Sequence, residues 1–584
     1  MLFRSLESRL QLAVAAVLPD AQLGSILIRP CADPKFGDYQ TSALMAVAKE
    51  RKLNPRKLGA DVLAKLDVTE WCEQVELAGA GFLNFRLKPA ALARVLAEVV
   101  GGRQQIFEPA RQRRTVVIDF SSPTVAKPMH VGHIRSTILG DCLARTLRLL
   151  GHTVVTDNHI GDWGTQFGKL LVGWKRMLDR AAIVSDPIGE MERLYRTINT
   201  ECLENPATLE AARQELVKLQ AGDEENLRLW REMQALSQSQ FDTIYGRLGV
   251  KFDHTLGESF YNPWLRDVVG QLTARGLART SDGATAVFSD GAGPPKDDPF
   301  LIQRDGEWQP NPALIQKSDG GFNYATTDLA TLDYRLRTWA PDQILYVTEG
   351  RQQLHFRQIF AAFRRWHPEA KVDLVHVWFG SILGSDGKPF KTRSGDTVKL
   401  TDLLNEAEER AFQVVTAKNP ELPESERREI ARIVGLGAVK YADLAPNRQS
   451  DYVFDWDKIL ALNGNTAPYL QYAYTRIRSI FRKAGAVVAS ADALELTEPE
   501  ELQLAKHLLN FGLTLEAVAE ECRPNYLCNY LFELAGHFGR FYEACPVLKG
   551  TDVQRAARLA LCDATARVLK QGLNVLGIET TEQM

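Results

Sequence analysis

Long apolar runs are missing from this sequence. No window of about 18 consecutive apolar residues occurs, so no membrane-spanning helix is expected. The opening stretch, MLFRSLESRLQLAVAAVLPDAQ, breaks its apolar residues with Arg4, Glu7 and Arg9 and has no small-residue cleavage site. It reads as an amphipathic helix and not as a signal peptide. Paired cysteines are missing too. Cys31, Cys72, Cys142, Cys202, Cys522, Cys528, Cys545 and Cys562 form no CxxC pair, which argues against a cysteine-based zinc site and for a reduced, cytoplasmic setting. There is no charge excess: 70 Lys and Arg stand against 73 Asp and Glu. Any contact with nucleic acid must therefore come from where the basic residues lie. The absence of internal repeats and low-complexity tracts excludes solenoids and disordered tails. Finally, no GxxxxGK[ST] loop occurs, since GSDGKP at 384–389 has the wrong spacing. A triphosphate, if bound, is held without a Walker loop.

What is present is a chain of 584 residues, more than one core supports at roughly 100–200 residues per domain. Up to about residue 110 it mixes helical segments with short strands such as GSILIRP and GFLNFRL, and PARQRR (109–114) reads as a basic linker. TVVIDF (115–120) is β-branched and nearly free of polar residues, as a short buried strand would be. Turn residues Ser121-Ser122-Pro123-Thr124 follow, and from Gly132 a helical period runs to a stop at Gly151. HTVVTDN is a second strand. Strand, turn, helix and strand imply a parallel α/β sheet that binds ligands at the carboxyl ends of its strands. Residues 163–250 read as a charged helical insertion over the sheet, and SDGAGPPKDDPF (289–300) as loop or hairpin. QILYVTEG and VDLVHVWFGSIL return to the sheet; helical patterns dominate from about 400, as in a separate bundle.

The turn leads into His130-Val131-Gly132-His133. Zinc would want a third ligand and a glutamate base on the same helix face, and here valine and glycine stand between two histidines at i and i+3. Two solvent-facing histidines are the bland reading of the tetrapeptide alone. Its place at a strand-to-helix junction favours a nucleotide. Backbone N–H groups at a helix N-terminus attract phosphate. Imidazoles one turn apart can both donate N–H to one anion without full positive charge. Gly132 lets a flat base lie against the backbone.

HxGH is the signature of class I aminoacyl-tRNA synthetases and related nucleotidyltransferases. The longer run DFSSPTVAKPMHVGHIRST resembles arginyl-tRNA synthetases of bacterial type. So do GDWGTQFGKL (161–170), YATTDLA (324–330), RQQLHF (351–356), KPFKTRSGDTV (388–398), NTAPYLQYAYTRIRS (465–479), the terminal NVLGIETTEQM and the early FGDYQ (36–40). The resemblance covers almost the whole chain. It implies a class I synthetase fold: a Rossmann-like parallel-sheet catalytic domain at 111–400, with insertions around 163–250 and 281–323. An N-terminal α+β domain would occupy 1–110, and a helical connector and anticodon-binding bundle 401–584.

It also implies roles for residues. His130 and His133 would stabilise the phosphates of ATP with Gly132 beneath the adenine; Lys391 aligns with the catalytic lysine of the KMSKS loop, and Lys388 assists. That loop departs from KMSKS, and Lys127, ahead of HxGH, would share its work. Asp119 and Asp328 match the guanidinium partners of arginine. Tyr324 lies four residues before Asp328, on the same helical face, and Gln352 matches a substrate-holding amide. Thr124 stands where asparagine is common and has a shorter reach. A guanidinium is planar and permanently charged, so paired carboxylates suit it, and a pocket built on them needs no editing domain.

In the C-terminal bundle, Tyr469, Tyr472 and Arg476 fall on one helical face, where bases can stack and cations meet phosphate. The resemblance adds Tyr542 and Met584 there, and Phe82 and Asn84 in the N-terminal domain, which would contact the tRNA corner. ATP with Mg²⁺ is the expected cofactor, with no structural metal; tRNA-Arg and L-arginine are the expected partners, the enzyme a monomer whose arginine activation needs tRNA. The alternatives are another class I synthetase, an HxGH nucleotidyltransferase, or a non-catalytic tRNA-binding paralogue.

Overall fold

The computed structural model describes residues 2–31, 33–391, 397–485 and 494–584. Helix α1 (Leu2–Val17) buries Leu2, Phe3, Leu6, Leu10, Ala13 and Val14, a stripe at the three- and four-residue spacing of a one-sided helix. Strands β1 (Arg29–Pro30) and β2 (Tyr39–Thr41), helices α2 (Ala43–Glu50) and α3 (Pro55–Leu63), strands β3 (Cys72–Ala78) and β4 (Phe82–Leu87), and helix α4 (Pro89–Val100) follow. The four strands form one antiparallel sheet in the order β1-β2-β4-β3. On β4, Leu83, Phe85 and Leu87 point into the core, which leaves Phe82, Asn84 and Arg86 on the opposite face by the period of two.

The segment 109–114 is stapled at its far end by the Arg114 N–H, which donates to His152 Nδ1 at 3.1 Å, and near its start by two further contacts. Arg111 pairs with Glu7 of α1, and the Ala110 N–H donates to the Leu150 carbonyl at 2.8 Å. The sequence reads as a linker because its basic residues carry no period; their partners lie far away in the chain.

A second sheet is fully parallel. Its strands are β5 (Thr115–Asp119), β6 (Thr153–Asp157), β12 (Gln343–Tyr346) and β13 (Asp373–His376), in the order β13-β12-β5-β6. Val116, Val117 and Ile118 of β5 are all fully buried, as a central parallel strand covered on both faces must be. Helix α5 (Val131–Leu149) crosses from β5 to β6. The chain then leaves the sheet and returns on the far side of β5 as β12. The order reverses between β5 and β12, where Asp119 lies opposite Tyr346, and the crevice at such a switch point is where a doubly wound sheet binds its ligand.

Two insertions separate β6 from β12. The first is helical: α6 (Gln166–Met177), α7 (Arg180–Ser185), α8 (Pro187–Glu204), α9 (Pro206–Gln220) and α10 (Glu224–Leu248). After α11 (Asn262–Ala274) comes the second, with β7 (Ala278–Ser281), β8 (Ala284–Val287), β9 (Leu301–Arg304), β10 (Glu307–Pro310) and β11 (Ala313–Gln316). β9 and β10 form a hairpin turned by Asp305 and Gly306, both at positive φ (50° and 84°), the geometry that Asp-Gly favours. Helices α12 (Tyr324–Trp339) and α13 (Gln353–Trp366) flank β12.

Beyond β13, the short parallel pair β14 (Ile382–Leu383) and β15 (Tyr452–Val453) ties the sheet domain to the helices that follow. These are α14 (Leu400–Lys418), α15 (Glu424–Leu444), α16 (Trp456–Ile459), α17 (Ala467–Ala484), α18 (Pro499–Leu509), α19 (Phe511–Glu521), α20 (Asn525–Ala544) and α21 (Asp552–Val575). The bundle grips α5 directly. Arg135 of α5 pairs with Asp443 of α15 at 2.9 Å, both buried. Lys440 of α15 donates to the carbonyls of Leu248 and Gly577, each at 2.5 Å, and Arg145 of α5 donates to Gly249 at 2.7 Å. Two cations thus cap the carboxyl ends of α10 and α21, where helix dipoles favour positive charge.

Candidate active site

The turn that follows β5 is strained. Ser121, Ser122 and Ala126 lie at φ 74°, 49° and 62°, left-handed values that cost side-chain-bearing residues of order 1–3 kcal/mol each and persist only where surroundings enforce them. The surroundings do. The Ser121 N–H donates to Ser136 Oγ at 2.8 Å, and its hydroxyl lies 2.7 Å from the Tyr245 hydroxyl. The Ser122 N–H donates to Asn158 Oδ1 at 3.0 Å and the Ala126 N–H to Ser237 Oγ at 2.9 Å. Tyr245 and Ser237 belong to α10, so the helical insertion holds the turn from outside.

His130 is the N-cap of α5, and the two histidines form a reciprocal cap. Nδ1 of His130 accepts the Gly132 N–H, and Nδ1 of His133 accepts the His130 N–H, both at 3.1 Å. A nitrogen that accepts cannot carry hydrogen, so each neutral ring holds its proton on Nε2. Burial keeps both rings neutral. It pushes His133 down to about 3, with His130 adding to the shift. It lowers His130 too, against the opposing pull of Glu349. Two neutral Nε2–H donors result, one turn apart, with ring centroids 4.0 Å apart. The expectation that backbone N–H groups here meet phosphate is corrected. Those of His130 and Gly132 go to the imidazoles, that of Val131 to the Val398 carbonyl and that of His133 to the His130 carbonyl. Gly132 is needed for this packing: a Cβ would lie 2.8 Å from Cε1 of His130.

The lysine loop is tied to the same cap. Val398 and Lys399 run beside Val131 and His130, and the Leu400 N–H donates to Met129 at 2.9 Å. Lys388 and Lys391 are exposed, and Lys391 bridges to Thr397. Thr392 to Asp396, the middle of KPFKTRSGDTV, lie outside the described residues. Lys127, exposed on the strained turn, has its ammonium 5.2 Å from the centre of the Tyr195 ring. Thr124 forms a parallel bridge with Gly161.

Carboxylates gather on the other side of the crevice. Asp328 Oδ2 lies 2.5 Å from His355 Nε2, and the His355 ring sits 4.9 Å from Tyr324, which is 62% exposed. Gln352 is exposed in the 3-10 turn after β12. Asp119 does hold a guanidinium, but one of the chain's own. Arg335 Nη2 bonds Asp119 Oδ2 at 2.7 Å and Asp157 Oδ2 at 2.8 Å, all three side chains buried. Arg335 is 216 residues from Asp119 in sequence, and nothing local to Asp119 announces it. Two carboxylates thus share one buried guanidinium at the carboxyl ends of β5 and β6.

Sequence reasoning missed Glu258. Burial raises it to about 7; Asp328 and Asp162 add to the rise and His159 opposes it. Its segment is clamped by Asp162 of GDWG, which accepts the Ser259 N–H at 2.8 Å and the Ser259 hydroxyl at 2.6 Å. Gly257 permits the approach, since a Cβ there would lie 2.5 Å from the Asp162 carboxyl group. The signal was a lone acid beside a glycine in LGESFY, in a stretch without period. His355 was also passed over, although it stands inside the quoted RQQLHF.

The candidates on the bundle share a surface. On α17, Tyr472 (44% exposed) and Arg476 point outward, and the Arg476 guanidinium lies over the Tyr542 ring at 4.5 Å. Tyr472 and Met584 line one apolar cavity. Tyr469 is half-buried, 5.7 Å from the Phe532 ring. On β4, Phe82 is half-buried and Asn84 only 5% exposed, its Oδ1 without a hydrogen-bond partner among the described residues.

A parallel sheet with paired imidazole donors at its switch point, a lysine loop on one side and carboxylates on the other defines a Rossmann-like domain that activates a substrate with a nucleotide. Three family models match the chain: the class I (R) tRNA synthetase catalytic domain over 95–456, the DALR anticodon binding domain over 470–584, and the arginyl tRNA synthetase N-terminal domain over 4–87. The arginine–tRNA ligase of Chromobacterium violaceum is 46% identical over 584 residues, covering 99% of each chain. The arginyl-tRNA synthetase structure from Plasmodium falciparum superposes with a TM-score of 0.81 at 28% identity, covering 100% of this chain and 99% of that one. The one from Thermus thermophilus gives 0.82 at 25% identity, covering 100% of both. The chain belongs to the arginyl-tRNA synthetase family.

Proposed function

We propose that this protein is an arginine–tRNA ligase. In the first step a carboxylate oxygen of L-arginine attacks the α-phosphorus of ATP and pyrophosphate leaves. In the second, the 3′-terminal ribose hydroxyl of tRNA-Arg attacks the acyl carbon and AMP leaves. No protein nucleophile is needed; the enzyme aligns the reactants and stabilises charge developing on phosphate. One observation carries the reading: His130 and His133 keep neutral Nε2–H donors at the helix start after β5, while the acids Asp328 and Glu258 stand close enough together to raise the Glu258 carboxyl.

In this assignment His130 and His133 donate to the triphosphate, the adenine lies along Gly132, and Lys127, Lys388 and Lys391 offset phosphate charge. Mg²⁺ enters with ATP as its counter-ion. Asp328 and Glu258 clasp the substrate guanidinium, Tyr324 and His355 wall it, and Thr124 and Gln352 hold its backbone end. Asp119 acts from below, through Arg335. Tyr469, Tyr472, Arg476, Tyr542 and Met584 form the anticodon surface. Phe82 and Asn84 meet the tRNA corner, Phe82 being the more accessible of the two. The working division is 1–110, 111–400 and 401–584, in a monomeric cytoplasmic enzyme. No helix among the described residues is long and apolar enough to cross a membrane. The test is charging of mixed tRNA with each of the twenty amino acids. Arginine alone should be esterified, and pyrophosphate exchange should need arginine and tRNA together; exchange driven better by another amino acid refutes the assignment.

A further inference from the structure

Lys127 and Lys169 reach toward the same tyrosine from different elements. Lys127 stands on the strained turn ahead of HVGH, and Lys169 on α6. Their ammonium groups lie 5.2 Å and 6.0 Å from the centre of the Tyr195 ring on α8. Lys169 also donates to Asn199 Oδ1 at 2.7 Å. Asn199 is one turn beyond Tyr195, so α8 offers a ring and an amide oxygen to two cations.

Among the described residues, neither lysine has a salt bridge to a carboxylate. Most cations of this insertion do pair with glutamates, Lys175, Arg176, Arg193, Arg196, Arg213, Lys218 and Arg228 among them. A ring face and an amide oxygen orient an ammonium group without cancelling its charge. Two uncancelled cations held by one ring favour an anion that meets both. Lys127 is also close enough to His130 to lower its proton affinity, which puts one of the two cations beside the imidazole donors, with Lys169 joined to it through the Tyr195 ring.

We infer that Tyr195, Asn199 and Lys169 build a phosphate-binding wall opposite the histidine cap. Lys169 contacts the phosphate directly, and Tyr195 is a positioning residue that aims Lys127. The inference rests on Lys127 being a phosphate-binding lysine of the proposed reaction. The phosphate has two sources, the triphosphate of ATP or a backbone phosphate at the 3′ end of tRNA.

Pyrophosphate exchange and aminoacylation at saturating arginine separate the possibilities for Lys169→Met, Tyr195→Leu and Tyr195→Phe, with Lys127→Ala as reference. Lys169→Met should raise one KM about tenfold: that of ATP and pyrophosphate if the wall serves the triphosphate, that of tRNA if it serves the 3′ end. Tyr195→Leu should raise the same KM about threefold to fivefold, Tyr195→Phe should restore it, and the arginine KM should not move. If Lys169→Met leaves all these KM values unchanged while Lys127→Ala is inactive, the wall does not exist although the role of Lys127 stands. If Lys127→Ala exchanges like wild type, the underlying reading fails instead. Should Tyr195→Leu not fold, Lys169→Met decides alone.

Discussion

At the histidine end of the crevice the working groups are neutral and fixed. Both Nδ1 atoms are spent on the backbone of the very helix that carries them, so the rings cannot turn and Nε2–H is left to donate. At the carboxylate end an acid is held near its point of ionisation. Asp328 leans on a histidine, and Glu258 sits near neutrality until a cation arrives. In the proposed reaction one end admits an anion and the other holds a guanidinium strongly enough to exclude neutral side chains. A neutral donor suits the first task, and an under-neutralised acidic pocket suits the second. The protonation states at both ends follow from burial, which strips a histidine of its proton and returns one to a glutamate.

The contrast can be broken at either end. His133→Ala removes a donor and the partner of the His130 N–H together, and should cut kcat by about 10²–10³-fold, as loss of a preorganised donor does elsewhere. Its tRNA affinity should stay at the wild-type value in a direct binding assay; a parallel loss there would mean that the helix start had collapsed. Asp328→Ala should raise the arginine KM by roughly 10²-fold while the ATP KM stays put. Equal shifts in both would erase the division between the ends. Tyr472→Ala lies outside the crevice altogether. It should weaken tRNA binding about tenfold, the worth of one stacked base, with no change in arginine KM at saturating tRNA.

The smallest effect sharpens the contrast best. Because Glu258 is raised to about 7 in the free protein, its carboxylate is available above that pH and lost below it. The arginine KM should therefore fall about fivefold as pH rises from about 6 to 8, and Glu258→Gln should flatten the profile. A slope that survives in the glutamine variant would assign the titration to another group.

The sequence carried more of the fold than of the site. A β-branched run, a Ser-Pro turn and a helical period ending at Gly151 were enough to place β5, α5 and β6, because each element's period is local. HVGH and its lysine loop were legible for the same reason, though the reciprocal cap was not: cap geometry depends on ring orientation, which spacing does not set. Asp119 was visible as an acid at a strand end, but its partner enters from α12 across the sheet. Glu258 had no pattern to announce it, since its role comes from Asp162 pulling a loop against the crevice. Asn84 shows the opposite failure: the alternation of β4 puts it on the outer face, yet neighbouring side chains cover it.

The helix that begins with HVGH is buried at every position from Ile134 to Ala144. Its Arg135 is sealed against Asp443, and breaking such a pair from one side costs about 3–5 kcal/mol, a large part of what holds a protein of any size together. A gene fragment ending near residue 400 would keep every catalytic side chain discussed above; water would rehydrate that guanidinium, but the apolar side chains of α5 that share a core with the bundle would be left exposed. Expressed alone, it should come out as inclusion bodies or a molten species, whereas the whole chain should melt as one unit in a calorimetric scan. The division between activating an amino acid and reading a nucleic acid is therefore one of labour and not of folding.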